Sequence, residues 1–329
     1  MNSSDVEVNI RTEDATEIAT DLLVLKYMRN ASGVGMQVAN KLGVEDFFSS
    51  DTLPDIGDYK IFYNNIGDKL GAQNILYIGV EPAPGFRYQD IREFARRSLK
   101  IAGREVKNAE HITLTLHGPG YGLDEREAFE AELAGLMESI QDGTAPPELE
   151  QISIAEIDPK RANRLQNILD DFIPGRVIRR GQSTPDQARS VGYDSESKPH
   201  VFVAMPFDES FEDVYYLGIK ESVPVDLLCE RIDNESFTGN IEKEIKRRIE
   251  SASLVVADMT TANPNVYLEV GFAWGKDVPT LLLTQDTDDL KFDVEHHNAI
   301  IYDRNKIWEL RDELEETLTD LSIGPDHKP

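Results

Sequence analysis

Apolar and polar positions alternate along the chain in two different rhythms, and the change of rhythm marks its elements. A period of two from Val6 to Ile10 predicts a half-buried strand, and the continuous run Leu22-Leu23-Val24-Leu25 a buried one. Apolar runs at Asn74–Val80, His111–Leu116 and Gln151–Ile157 predict further strands. Each is followed by a helical period, from about Tyr88 to Arg104, Glu125 to Ile140 and Pro159 to Phe172. Strands alternating with helices predict a three-layer α/β domain over residues 1–174. The pattern fails between about Pro174 and Pro199, where Pro, Gly, Ser and Gln mix with Arg176, Arg179 and Arg180, so 175–197 reads as a linker. It resumes over 198–329, with strands at His200–Ala204, Val225–Cys229, Leu254–Asp258 and Thr280–Thr284. Helices are expected from about Phe211 to Glu221, through Ile241, Ile245 and Ile249, from Pro264, and from Lys306 to Leu321. This predicts a second α/β domain with a parallel sheet.

One residue breaks the apolar pattern where a polar group is costly. Glu269 sits within Val266-Tyr267-Leu268-Glu269-Val270-Gly271-Phe272-Ala273-Trp274, and an ionised carboxylate loses solvation among such neighbours. Many helices carry a lone Glu on an exposed face; here the surroundings point further. Asn263 is suited to cap the helix and Pro264 to its first position. Gly271 and Ala273 keep bulk away. The strand ending at Asp258 and the loop Thr260-Thr261-Ala262 place polar groups at the carboxyl edge of a parallel sheet, where open α/β folds bind ligands.

Composition narrows the partners. With 329 residues the chain is long enough for two cores, and its net charge of -27 argues against binding a nucleic-acid backbone over a broad surface. A pocket for a small nucleotide needs only local donors. The single Cys229 excludes an intrachain disulfide and a multi-cysteine metal site. Adjacent His296 and His297 point apart on most backbones, so no metal site is expected there. The polar start Met1-Asn2-Ser3-Ser4-Asp5 lacks a signal-peptide pattern, and no apolar run is long enough for a bilayer span, which together predict a cytoplasmic protein without a membrane partner. Glycines in Asn30-Ala31-Ser32-Gly33-Val34-Gly35 stand at a strand-to-helix turn, where backbone N–H groups can approach an anion or merely turn the chain.

With "NASGVG" after the second strand and "HGPGYG" after a later one, residues 5–173 resemble the macro-type fold, especially the amino-terminal domain of leucine aminopeptidases. The resemblance implies binding of an ADP-ribose-type nucleotide signal, with Gly33 and Gly35 in one loop and Gly118, Gly120, Tyr121 and Gly122 in the other. The Asn-rich signature of the hydrolytic macro domains is missing, so binding is expected instead of hydrolysis. The peptidase half of the aminopeptidases is missing too.

The second domain carries "FVAMPFDESF", "ADMT", "NPNVYLEVG" and "FDVEHHNAIIYD" in that order, and resembles the nucleoside 2-deoxyribosyltransferase-like, TIR-like family over about 198–320. The resemblance implies a flavodoxin-like sheet and cleavage of an N-glycosidic bond. Glu269 would stabilise or capture the anomeric carbon, and Asp258 and Asn263 would hold sugar hydroxyls. Met205 and Phe207 would form a wall for the base, and Arg231, Asp233 and Asn265 would border the same edge. Breaking a C–N glycosidic bond leaves positive charge on the sugar, which a partly desolvated carboxylate stabilises. Joined, the two resemblances imply a signal-regulated glycosidase that cleaves NAD as substrate, without a prosthetic group, in prokaryotic antiviral defence. Self-association into a homo-oligomer or filament would switch it on. Transfer or hydrolysis on deoxynucleosides, formation of a cyclic product, and a non-catalytic nucleotide-binding module remain the alternatives.

Overall fold

The computed structural model describes residues 5–27, 34–42, 54–64, 70–81, 85–119, 121–232, 241–291 and 299–321. The chain divides into two compact α/β units, one comprising Met1–Pro119 and Glu125–Glu196, the other Gly120–Asp124 and Ser197–Pro329.

In the first unit, strands β1 (Asp5–Arg11), β2 (Thr20–Tyr27), β3 (Tyr59–Tyr63), β4 (Ala72–Gly79), β5 (His111–Leu114), β6 (Gln151–Ala155) and β7 (Val177–Arg179) form a sheet in the order β3-β4-β2-β5-β6-β1-β7. The inner strands run parallel, and the edge strands β3 and β7 are antiparallel to their neighbours. Parallel neighbours require crossovers, which carry helices α1 (Val34–Leu42), α2 (Tyr88–Glu105) and α3 (Glu125–Gln141), while α4 (Pro159–Phe172) links β6 to the antiparallel β7. Successive side chains of β2 serve opposite faces of the sheet. Leu23, Leu25 and Tyr27 join Val38 and Ala39 of α1 in one core, while Lys26 on the other face lies over Phe86, just ahead of α2. Helices α2 and α3 approach so closely that a Cβ on Gly135 would fall 2.1 Å from the Arg92 carbonyl oxygen.

The stretch expected as a linker is part of this unit. β7 pairs with Asp5–Glu7 of β1, Arg180 donates to the carbonyls of Pro146 and Leu149, and buried Arg92 donates to the Val191 carbonyl. A short helix α5 (Asp186–Ser190) lies within it. Composition without periodicity resembles a linker, but backbone pairing and one buried guanidinium fasten it. The first unit therefore runs to Glu196 instead of ending at 174.

In the second unit, β8 (His200–Ala204), β9 (Leu228–Glu230), β10 (Leu254–Asp258), β11 (Thr280–Thr284) and β12 (Ala299–Ile301) form a parallel sheet in the order β12-β11-β10-β8-β9. Counted within the unit this is 2-1-3-4-5, the flavodoxin-like order expected from the sequence. The period of two again splits the core. Val201, Val203, Leu254 and Val256 pack with Tyr215 and with Leu310 and Leu314 of α8 (Ile307–Asp320). Phe202, Ala204, Val255 and Ala257 pack with Ile249 of α6 (Ile241–Ser251) and with Val266, Val270 and Ala273 of α7 (Pro264–Gly275). Each fully buried Val or Leu contributes about 1.5–3 kcal/mol, so both helical layers clamp the strands and fix where they end. The helix expected at 211–221 is a 3-10 turn, Glu209–Phe211, followed by a π-helical segment, Val214–Lys220. Gly218 of that segment lies so near α8 that an added Cβ would stand 3.0 Å from Leu310. The strand expected from Val225 begins at Leu228, because Val225 itself stands almost fully in solvent.

Candidate active site at the edge of the parallel sheet

In a 2-1-3-4-5 sheet the connections leave in opposite directions on either side of the first strand, which opens a crevice beyond its carboxyl end. Here that switch point lies between β8 and β10.

β10 ends on Asp258, which is completely buried. Its Oδ1 accepts from the Thr260 N–H at 3.0 Å and from Thr260 Oγ1 at 2.6 Å, and its Oδ2 accepts from Tyr302 Oη at 2.6 Å. Gln285 Nε2 donates to the same Tyr302 oxygen at 3.0 Å. Burial raises the Asp258 pKa above its ordinary value, against the lowering effect of those hydrogen bonds. The carboxylate therefore ties the ends of β10 and β12 together, and its hydrogen bonds are directed into the fold.

The chain then turns sharply. Thr261 and Ala262 adopt φ of 69° and 49°, the left-handed region that a β-branched residue rarely enters. Such a conformation costs of order 1–3 kcal/mol and persists only where its surroundings impose it. The Thr261 N–H donates to Asp289 Oδ2 at 2.7 Å, and Tyr267 Oη donates to the Asp289 carbonyl at 2.7 Å, which provides that constraint. Asn263 caps α7 by accepting from the Asn265 N–H at 2.9 Å, and Pro264 takes the first helical position, both as the sequence predicts. Asn265 is exposed in the first turn.

Glu269 follows about one and a half turns into α7. It sits on the flank of the face that buries Val266, Val270 and Ala273. Its side chain is half-buried, and among the described residues no hydrogen bond or ion pair reaches the carboxylate. Desolvation alone pushes its pKa up to about 7. Ala273 belongs to the core, whereas Gly271 faces open space, where an added Cβ would meet nothing within 4 Å.

The expected base-stacking wall is divided. Phe207, just beyond β8, keeps 37% of its surface exposed. Met205 instead is buried in the core, with its sulfur 3.7 Å from Arg231 Nη1, so it cannot present a face to a base as expected. Its unbranched apolar chain fills the space beneath the guanidinium. Arg231 lies 4.0 Å above the Tyr215 ring and pairs with Glu212 at 2.8 Å. Asp233 lies outside the described residues, as do Gly33, Gly120, His296 and His297.

The two glycine loops are not gathered in one unit. Gly35 lies in α1, its carbonyl accepting from Tyr77 Oη at 2.9 Å. Gly118, at φ 109°, stays with the first unit. Tyr121 and Gly122 belong to the second unit, where Tyr121 forms an antiparallel bridge with Ile232. Gly122, at φ 92°, would place a Cβ 2.8 Å from the Ile232 side chain. Gly122 is therefore closely packed, whereas Tyr121 is half-buried. Sequence reasoning missed Tyr302 and Gln285, whose signal was a tyrosine one residue beyond an apolar strand. Among the described residues no group of three or more His, Cys, Asp and Glu is placed to hold a metal ion, and no helix is long and apolar enough to cross a membrane.

No family model matches this chain, and no curated protein does. Among solved structures, it is similar to an Oceanobacillus iheyensis macrodomain with ADP, at 17% identity and a TM-score of 0.40, covering 50% of this chain and 91% of that one. A Trypanosoma brucei macrodomain in complex with ADP gives 15% identity and a TM-score of 0.41, covering 50% and 69%. The macro domain of ganglioside induced differentiation associated protein 2 gives 13% identity and a TM-score of 0.41, covering 51% and 85%.

Proposed function

We propose that the second unit cleaves an N-glycosidic bond, with NAD as substrate, and that the first unit binds an ADP-ribose-type nucleotide that regulates it. One observation carries the catalytic reading. A desolvated carboxyl, Glu269, stands on the helix that follows the central strand of a flavodoxin-like sheet, with no partner among the described residues. A carboxylate so placed interacts more strongly with a developing cation than one in water, because little solvent screens it.

In the proposed reaction the bond between ribose C1′ and the nicotinamide nitrogen breaks, and its electron pair cancels the ring's positive charge. Ionised Glu269 stabilises the cationic sugar, or captures it covalently until water forms the new C–O bond and a proton is released. Phe207 offers the nicotinamide an exposed ring beyond β8. Asp258 and Asn263 hold the turn that delivers α7, through the contacts described above. Regulation by a nucleotide and by self-association fits an enzyme that consumes a shared cofactor, and a role in antiviral defence follows from that economy.

The test is incubation of the full chain with NAD and, separately, with a deoxynucleoside panel, analysed by liquid chromatography with mass detection beside Glu269→Gln. Nicotinamide released by the parent chain and not by the variant supports the reading, and the co-product separates hydrolysis from cyclisation. Free base from deoxynucleosides with NAD untouched overturns the substrate assignment. Equal activity in parent and variant overturns the role of Glu269. Sizing with and without ADP-ribose tests self-association, which fails if activation proceeds without a change in size.

A further inference from the structure

The segment that leaves β11 brackets the strained turn before α7. Gln285, the first residue beyond β11, donates its N–H to Thr260 Oγ1 at 3.1 Å. Asp289 Oδ2 accepts at 2.7 Å from the N–H of Thr261, the residue at φ 69°. The Asp289 carbonyl accepts from Tyr267 Oη at 2.7 Å, and that phenol oxygen in turn accepts the Lys291 N–H at 2.7 Å. Residues 285–291 therefore hold both the turn and the first half of α7. The bracket is itself fixed from within. Asp286 Oδ1 accepts from the Asp288 N–H at 2.9 Å and opens the 3-10 turn Thr287–Asp289. Thr284 Oγ1 donates to the Asp286 carbonyl at 2.7 Å, and Lys291 Nζ to the Asp288 carbonyl at 2.7 Å.

Glu269 makes no hydrogen bond of its own among the described residues, so its carboxyl stands wherever α7 puts it. Val266, Val270 and Ala273 seat the helix on the sheet through apolar contacts, which are non-directional. The bonds at Tyr267 Oη are directional and weaken steeply when bent. Tyr267 precedes Glu269 by two residues, so a rotation of α7 that moves the carboxyl also bends both bonds. The turn pulls at the same place: Thr261 and Ala262 keep their left-handed angles only while their surroundings impose them, and relaxation there shifts the start of the helix.

We propose that Asp289 and Tyr267 are positioning residues for Glu269, and that the segment 285–291 sets the rotation and depth at which α7 presents its carboxyl to the sugar. This deepens the glycosidase reading and rests on it. Asp289 acts through the turn and Tyr267 through the helix, and neither is asked to touch substrate. The half-open, desolvated state of Glu269 is then a product of the bracket, because a helix released at its start lets the carboxyl turn toward water.

The experiment compares Asp289→Ala, Asp289→Asn and Tyr267→Phe in the full chain, each alone and combined with Glu269→Gln. With NAD, Asp289→Ala and Tyr267→Phe are expected to lower kcat for nicotinamide release about ten- to a hundredfold, because a small misplacement of a reacting group costs that much, while KM stays within about twofold. Asp289→Asn keeps an oxygen for the Thr261 N–H and is expected to restore most of the loss. In the Glu269→Gln background neither change is expected to lower the rate further, since nothing remains to be positioned. A second readout needs no activity. The urea midpoint gained by Glu269→Gln at pH 8 is expected to shrink by at least about half when Asp289→Ala is present, because the carboxyl has already reached water. Tyr267→Phe takes its place there if Asp289→Ala fails to fold. Unchanged kcat in both variants, or losses that add in full to that of Glu269→Gln, overturn the inference and leave the glycosidase reading standing. If the parent chain leaves NAD intact and the midpoint gain still shrinks, the glycosidase reading falls and the placement of Glu269 by the bracket stands. An intact NAD pool with an unchanged midpoint gain overturns both.

Discussion

Glu269 and Glu132 are each desolvated carboxyls without hydrogen-bond partners among the described residues, one in each unit, yet the fold treats them differently. Glu269 is half open, on a helix flank beside a strained turn at a sheet edge. Glu132 is sealed within its unit and shares its surroundings with a lysine. Asp258 supplies the contrast, being as buried as Glu132 but bonded to Thr260 and Tyr302. Burial alone therefore does not mark a working carboxylate. What separates the three is how many donors the fold provides and whether a ligand can arrive.

The largest test of that contrast is Glu269→Gln, which keeps the shape and removes the charge. Nicotinamide release is expected to fall by about a thousandfold or more, measured as kcat/KM at NAD concentrations below KM, because the transition state loses the carboxylate proposed to face it. Retained activity would reduce Glu269 to an ordinary flank residue. The pH profile sharpens the point: in the proposed reaction ionised Glu269 is the active form, so kcat/KM is expected to fall about tenfold per unit below about pH 7.

Stability moves in the opposite sense. The folded pKa of Glu269 is raised, so the neutral form suits the folded state. Its contribution is fully present below the ordinary value of 4.5 and is lost as pH rises through about 7. Glu269→Gln, which cannot ionise, is expected to be more stable than the parent at pH 8 by up to about 3 kcal/mol, with the difference vanishing near pH 4. Denaturant melts at the two pH values measure it. An equal difference at both would mean that charge is not the cause.

How much of this was legible in the sequence follows from range. Asn263 and Pro264 act within one turn, so the start of α7 could be read from neighbouring residues, and strict apolar runs placed β8, β10 and β11. A lone carboxylate in an apolar run exposed Glu269, and the same rule applied to Ala131-Glu132-Leu133-Ala134 would have exposed Glu132. Non-local contacts were not readable. β7 is fixed by pairing with β1 across more than 160 residues of chain, and Met205 is withdrawn from the edge by packing against side chains of several elements. Gly122 resembled a phosphate loop because a positive φ demands glycine whatever the purpose.

Gly122→Ala is the next test in size. It combines a left-handed φ of 92° with a Cβ 2.8 Å from Ile232, and is expected to cost about 1–3 kcal/mol of stability without weakening any probe bound by the first unit. A selective loss of ADP-ribose affinity at unchanged stability would return Gly122 to the ligand loop expected from the sequence.

The smallest expected effect bears directly on Asp258. Tyr302→Phe removes the hydroxyl that donates to Asp258 Oδ2 at 2.6 Å and accepts from Gln285 at 3.0 Å. Losing one such bond costs about 1–1.5 kcal/mol, somewhat more here because a charged acceptor is left behind. The hydrogen bond also lowers the Asp258 pKa, so without it that pKa rises further and the stability loss is greatest above the new value, where ionisation must occur without its donor. If Asp258 only anchors the strand ends, the proposed glycosidase activity at a temperature well below melting changes by less than about threefold, since Glu269 keeps its position on α7. If instead activity collapses while the melt is unmoved, Asp258 works on the substrate, and the line drawn between bonded and unbonded carboxylates falls.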